Sequence, residues 1–167
     1  MAIREILTRD NPRLRIKANR VPKVDDGVRA LMDDMVETML ASNGVGLAAT
    51  QVGVLLRVIV CKVDNQLYQL ANPELIRASG EQIGYEGCLS VPGYIGEVAR
   101  AEKVVVKALN RHGKEVRIKG EDLLARALQH EIDHLDGILF VDKLTSLDTL
   151  KEVEVGSEEE EAAAVAV

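Results

Sequence analysis

The segment His130-Glu131-Ile132-Asp133-His134 constrains the fold more than any other part of the chain. Its flanks, from about Glu121 to Asp136, have helical spacing, and Gly137 supplies a stop. On a helix, positions i and i+4 lie one turn apart on one face. At about 100° per residue, His130 and His134 fall within roughly 40° of each other. Leu123 and Ala127 share their face, and Leu124, Leu128, Ile132 and Leu135 continue the apolar arc. Asp122, Arg126, Gln129, Asp133 and Asp136 cluster on the opposite side, which is expected to be the outer one. The histidines therefore lie on the buried side of the helix, next to apolar groups.

Two imidazoles one turn apart can converge on a single ion, and H-E-x-x-H places a carboxylate at the edge of the same face. There Glu131 can reach water bound to the ion. Chance occurrence in a charged helix is the competing reading, and the apolar setting weighs against it. A catalytic site of this type uses three protein ligands and leaves one position open. His112 sits in an expected hairpin turn and reads as a surface residue. Cys61 ends an apolar strand and reads as a buried structural thiol. Cys88 lies in Glu86-Gly87-Cys88-Leu89-Ser90, where a glycine frees the backbone to aim a thiolate. It is the favoured third ligand, against the alternative of a small buried hydrophobe.

The rest of the chain supports one globular domain. It has 167 residues, 47% hydrophobic and 29% charged, a balance that is neither disordered nor membrane-embedded. Aromatics are 2%, so aliphatic residues and methionine must fill the core. A net charge of −6 argues against nonspecific nucleic-acid binding, which needs a basic face. No apolar run approaches the ~20 residues of a membrane span, and no signal or transit segment is recognisable. The expected compartment is the cytoplasm, and two cysteines there do not make a disulfide framework.

A first helix is expected from Asp25 or Asp26 to about Ser42. Val28, Leu31, Met32, Met35, Val36, Met39 and Leu40 form its buried stripe, and Gly44 its stop. Strands are expected at Leu56–Cys61, Leu67–Leu70 and Leu75–Ala78. A hairpin of 103–109 with 115–119 turns at Asn110-Arg111-His112-Gly113. The glycines between Gly84 and Gly96 suggest a long loop around Cys88. The expected organisation is a catalytic domain over 1–150 and a solvated acidic tail over 151–167.

Three separated blocks carry a family resemblance. Gly44-Val45-Gly46-Leu47-Ala48-Ala49-Thr50-Gln51 resembles G-x-G-L-A-A-x-Q, Glu86-Gly87-Cys88-Leu89-Ser90 resembles E-G-C-L-S, and His130-Glu131-Ile132-Asp133-His134 resembles H-E-x-D-H. In order and rough spacing these are the motifs of the peptide deformylases, and the likeness runs from about Ile6 to Leu144. The resemblance implies an α+β fold, with antiparallel β-sheets around a central helix carrying the HExxH motif. It implies a metal-dependent hydrolase that removes the formyl group from the N-terminal methionine of new polypeptides. By this resemblance Cys88, His130 and His134 hold one divalent ion, and Glu131 is general base and acid. The Gln51 side chain and the Leu89 backbone N–H stabilise the oxyanion. The family's usual ion is Fe2+, with Zn2+, Ni2+ or Co2+ able to occupy the site. Gly46 offers backbone hydrogen bonds to the peptide. Val45, Leu123 and Ala127 are candidates for the wall of the methionine pocket. Glu86 is expected to pair with Arg100 beside it, the alternative being an ordinary surface ion pair.

The expected partners are N-formylmethionyl nascent peptides, with transient ribosome association, no specific nucleic acid and no membrane. Many bacterial relatives end in a long basic helix associated with ribosome docking. Here the C-terminus is brief and acidic, which speaks against tight docking through that element. Two other classes compete. A metalloendopeptidase of the thermolysin type takes a downstream Glu as third ligand, which fits Cys88 poorly. A noncatalytic domain with a structural metal would need a fourth ligand and would leave Glu131 and Gln51 without a role.

Overall fold

The computed structural model describes residues 2–162. Its first long element is α1 (Asp26–Ala41). Asp25 caps it by accepting from the Val28 N–H at 2.9 Å. Val28, Leu31, Met32, Met35, Val36 and Met39 are buried as the spacing predicts, but Leu40 is exposed. The helix ends one residue earlier than Gly44 suggests. Asn43 takes the left-handed conformation (φ 55°), while the Gly44 N–H bonds back to Met39 O and the Asn43 N–H to Leu40 O. This satisfies the last carbonyls, and Asn tolerates the left-handed region for a single residue.

Five antiparallel strands follow in the spatial order β1 (Gly46–Ala48), β2 (Val58–Val63), β3 (Gln66–Ser79), β6 (Lys103–Leu109) and β7 (Glu115–Glu121). Strand β2 divides the core. With period two, Val58 and Val60 face the α1 methionines, while Ile59 and Cys61 face the second long helix, α2 (Asp122–Leu135). Both faces are covered, which is why β2 reads as a continuous apolar run. The two strands expected on either side of Asn72-Pro73 are one strand, β3, interrupted by bulges. Asn72 is left-handed there, and its amide accepts from the Val21 N–H and donates to Val21 O. A side chain thus takes over pairing that the irregular backbone gives up.

The stretch around Cys88 is not a loop. Strands β4 (Gln82–Cys88) and β5 (Val91–Arg100) form a hairpin, joined by β8 (Lys151–Glu152) into a second sheet in the order β4-β5-β8. The glycines misled because two of them serve close approach, not turning. A Cβ on Gly96 would overlap Leu144 Cδ2, and one on Gly84 would lie 3.3 Å from the Arg126 guanidinium.

Helix α2 starts without a loop, directly from β7, through a left-handed Asp122 (φ 50°). At its other end Gly137 (φ 77°) and Ile138 return hydrogen bonds to His134 O and Asp133 O. A Cβ on Gly137 would sit 2.6 Å from Arg15 O. Gly137→Ala combines left-handed strain with a backbone clash and is expected to lower unfolding stability by more than ~1 kcal/mol, read by urea denaturation. Among the described residues no helix is long and apolar enough to cross a membrane.

Candidate metal centre

Helix α2 and strand β4 bring together the three residues expected to be ligands. The donor atoms of Cys88, His130 and His134 all lie within 4.8 Å of one another. Cys88 Sγ is 3.3 Å from His134 Nε2, which is 3.2 Å from His130 Nε2. All three residues are buried.

The protonation states suit ligation. Glu86 sits on β4 two residues before Cys88, and its Oε1 is 2.7 Å from His130 Nδ1. A carboxylate only accepts, so Nδ1 carries a proton and donates, which leaves Nε2 as the nitrogen that faces an ion. Burial, followed by the neighbouring His130, holds His134 well below its ordinary pKa, so the His134 ring is neutral. Burial and the nearby Glu131 push the Cys88 thiol far up, partly opposed by the Ser90 and Val91 N–H groups. A cation at the convergence point reverses that shift and holds the thiolate. Two imidazoles and one ionisable thiol therefore fit a divalent ion with one position left open.

Glu131 is buried, and neither of its carboxyl oxygens has a hydrogen-bond partner among the described residues. Burial, and then Glu86, raise its pKa well above the carboxylate range, although Arg100 opposes this. An unpaired buried carboxyl is costly, and a perturbed one beside a donor set makes Glu131 a candidate for chemistry. Strand β1 presses against it: a Cβ on Gly46 would be 2.7 Å from Glu131 Oε2. Gly46 is therefore needed for close approach.

Gln51 is also buried. Its Oε1 accepts from the Ala48 N–H at 2.9 Å, which turns the NH2 group toward Cys88 Sγ (3.7 Å) and Ser90 Oγ (3.1 Å). Leu89 is half-buried and, with Cys88, Ile6, Ser42, Asn43 and Pro92, lines a cleft of about 260 Å³. Val45, Leu123 and Ala127 lie elsewhere: all three belong to the cluster packed around α2 and β2, not to the lining of this cleft.

Two interior charges were misplaced by the helical wheel. Arg126, buried, and Asp133, half-buried, were expected on the outer face but are drawn into an ion network because β4 and β5 cover that side of α2. Glu86 is shared by Arg100 (2.9 Å from Nε and from Nη2), Arg126 (2.6 Å) and His130. Arg100 also reaches Asp133 at 2.5 Å, and Lys143 approaches Asp133 at 3.1 Å. The Glu86–Arg100 pair is thus an interior clamp, not a surface ion pair. A signal for Arg126 was present: it lies one turn before His130 on the same helix, so one carboxylate can bond both. Nothing in the sequence pointed to Ser90. Cys61 is fully buried and His112 exposed, as expected.

An α+β fold whose central helix presents a Cys-His-His donor set beside an unpaired glutamate defines a metal-dependent hydrolase of the HExxH type. Comparison narrows the class. The family model for polypeptide deformylase matches residues 3–150. A peptide deformylase of Thermomicrobium roseum is 51% identical, covering 99% of this chain and 98% of its own. One of Acetivibrio thermocellus is 55% identical over 86% of this chain and 85% of its own. Among solved structures, a peptide deformylase from Legionella pneumophila superposes with a TM-score of 0.84 at 49% identity, covering 89% of each chain. One from Ehrlichia chaffeensis in complex with actinonin gives 0.86 at 40% identity, covering 89% of this chain and 92% of its own. The chain belongs to the polypeptide deformylase family. Its function is the metal-dependent hydrolysis that removes the N-formyl group from the N-terminal methionine of new polypeptides and releases formate.

Proposed function

We propose that Cys88, His130 and His134 hold the ion, that Glu131 carries the proton, and that Gln51 and the Leu89 N–H bind the oxyanion. The observation behind this reading is the convergence of three donor atoms beside a buried carboxyl with no partner. Bound there, a divalent ion supplies Lewis acidity toward the attacking water and the formyl carbonyl. Glu131 accepts a proton from the water, and its raised pKa suits it to keep that proton until the amine leaves. As the formyl carbon becomes tetrahedral, the Gln51 NH2 and the Leu89 N–H donate to its oxygen. Glu131 then protonates the departing nitrogen, and formate and a free amino terminus result.

Glu86 fixes the His130 tautomer, while Arg100 and Arg126 fix Glu86. Val45, Leu123 and Ala127 are assigned to the apolar wall for the methionine side chain, and Gly46 to peptide backbone binding. Their support is a shared cluster on the helix that bears both histidines. Residues 1–150 are assigned as the catalytic domain and 151–167 as its acidic C-terminal tail, of which 163–167 lie outside the described residues. Fe2+ is assigned as the native ion on the family resemblance, with Zn2+, Ni2+ and Co2+ as substitutes; binding strength alone would not select iron. A thiol ligand and a second free cysteine suit the reducing cytoplasm. With a net charge of −6, contact with the ribosome is assigned as transient, through the nascent chain.

The test is formate release from formyl-Met-Ala by protein purified anaerobically with iron, beside a Cys88→Ala variant. The wild type is expected to carry about one ion per chain and to turn over, and the variant to lose most of both. A variant that keeps a full complement of metal would remove Cys88 from the ligand set.

A further inference from the structure

The segment after Leu150 is attached to the catalytic domain, and it reaches the cleft. Strand β8 pairs Glu152 with Tyr94 and Lys151 with Ile95 on β5. Lys151 Nζ lies 5.1 Å above the Tyr85 ring of β4. Beyond β8, among the described residues, two hydrogen bonds tie the chain to Gly93. Gly93 O accepts from the Val153 N–H at 2.8 Å, and its N–H donates to Glu160 Oε2 at 3.0 Å. The other oxygen of Glu160 accepts from the Gly156 N–H at 2.9 Å. One carboxylate therefore clasps β5 and the turn at Val155-Gly156. Val155, Gly156 and Glu160 consequently line the same cleft as Cys88 and Leu89.

We infer that this C-terminal segment is the outer wall of the peptide cleft and selects for basic side chains downstream of the formylmethionine. The inference rests on the catalytic assignment above, since the cleft is a peptide site only if Cys88 and Leu89 belong to the reaction centre. The cleft is continuous with that centre, and its volume of about 260 Å³ accommodates side chains, falling below the ~300 Å³ at which whole small-molecule pockets begin. The wall's chemistry is one-sided. Over residues 151–161 it carries Glu152, Glu154, Glu158, Glu159, Glu160 and Glu161 against Lys151 alone, and Glu160 is itself part of the lining. Val155, 72% exposed, offers apolar surface for the stem of a lysine or arginine, leaving the cationic head to the carboxylates. Such attraction operates within a Debye length of about 8–10 Å and weakens with salt.

The experiment measures kcat/KM for formyl-Met tetrapeptides with Lys or Glu placed in turn at the second, third and fourth positions. The Lys-to-Glu ratio is internal to each preparation, so incomplete metal loading or partial folding cancels. The full chain is expected to prefer Lys roughly two- to fivefold at one or more positions, the range of exposed charge pairs. The preference should shrink at high salt. It should fall toward unity in a chain ending at Glu152, and shrink in the full-length Glu160→Gln variant, which serves if the shorter chain does not fold. A loss confined to the shortened chain would support the wall and assign its charge to the other glutamates. No Lys preference in the full chain, or an unchanged ratio after truncation, would overturn the inference. Failure of the full chain to release formate even from formyl-Met-Ala would instead sink the catalytic assignment beneath it.

Discussion

Replacing Glu131 by Gln is expected to cut kcat for formate release by roughly 10²–10⁴-fold while leaving bound metal and fold in place. The substitution is isosteric, and Gly46 packs so closely on this side chain that a change of shape would confound a change of chemistry. Glu131 is not a ligand in the assigned set, so metal content should stay near one ion per chain. The carboxyl makes no hydrogen bond to any described residue, so its replacement removes no structural contact. The unfolding midpoint of the metal-free variant should therefore stay close to that of the parent, because one unpaired buried polar group replaces another of the same shape. Single-turnover formate release, metal analysis and thermal unfolding on one preparation would check all three. Near-normal turnover with full metal would remove Glu131 from the proton path and turn attention to the other groups around the site.

The second large effect is structural. Glu86→Ala is expected to cost about 3–5 kcal/mol of stability, because it strips Arg126 of its carboxylate and leaves Arg100 with Asp133 alone, inside the protein. Against a typical total of ~5–15 kcal/mol, that brings the domain near the edge of folding. The same change frees the His130 ring, so metal affinity should drop by about 10–100-fold in whatever fraction folds. Urea denaturation and titration of metal-free protein with Co2+ would separate the two losses. A variant with unchanged stability would mean that water or rearranged side chains take over the arginines.

The ion network also sets the response of the parent protein to acid. Burial works against the charge on Glu86, but hydrogen bonds from Arg100 and His130 outweigh it and hold the carboxyl well below its ordinary range. A carboxyl more acidic in the folded state stabilises the fold above its unfolded pKa of about 4.3. That contribution is lost as pH falls below this value toward the folded pKa. Acid unfolding of the metal-free protein should therefore shift to higher pH when Arg100 is replaced.

Much of this was written in local sequence. Spacing alone put His130 and His134 on one turn of a buried helix, because helical geometry depends only on neighbours along the chain. Composition and alternation gave α1, β2 and the β6–β7 hairpin for the same reason. The motif around Cys88 singled out the third donor, but its surroundings were misread as a loop. A glycine in a turn and a glycine under a neighbouring side chain look alike until the neighbour is known. Gly96 lies under Leu144, and Gly84 under Arg126. The polar side of α2 was misread too, since periodicity separates apolar from charged residues but cannot see that β4 and β5 cover both. Only the tertiary structure brought Glu86, Arg100, Arg126 and Asp133 into one buried network, carried by β4, β5 and α2. It alone also folded the acidic C-terminal segment back to Gly93. The sequence determined which groups could hold an ion and move a proton; long-range packing decided which groups hold those in place, because charges buried far apart along the chain are stable only where the fold supplies their partners.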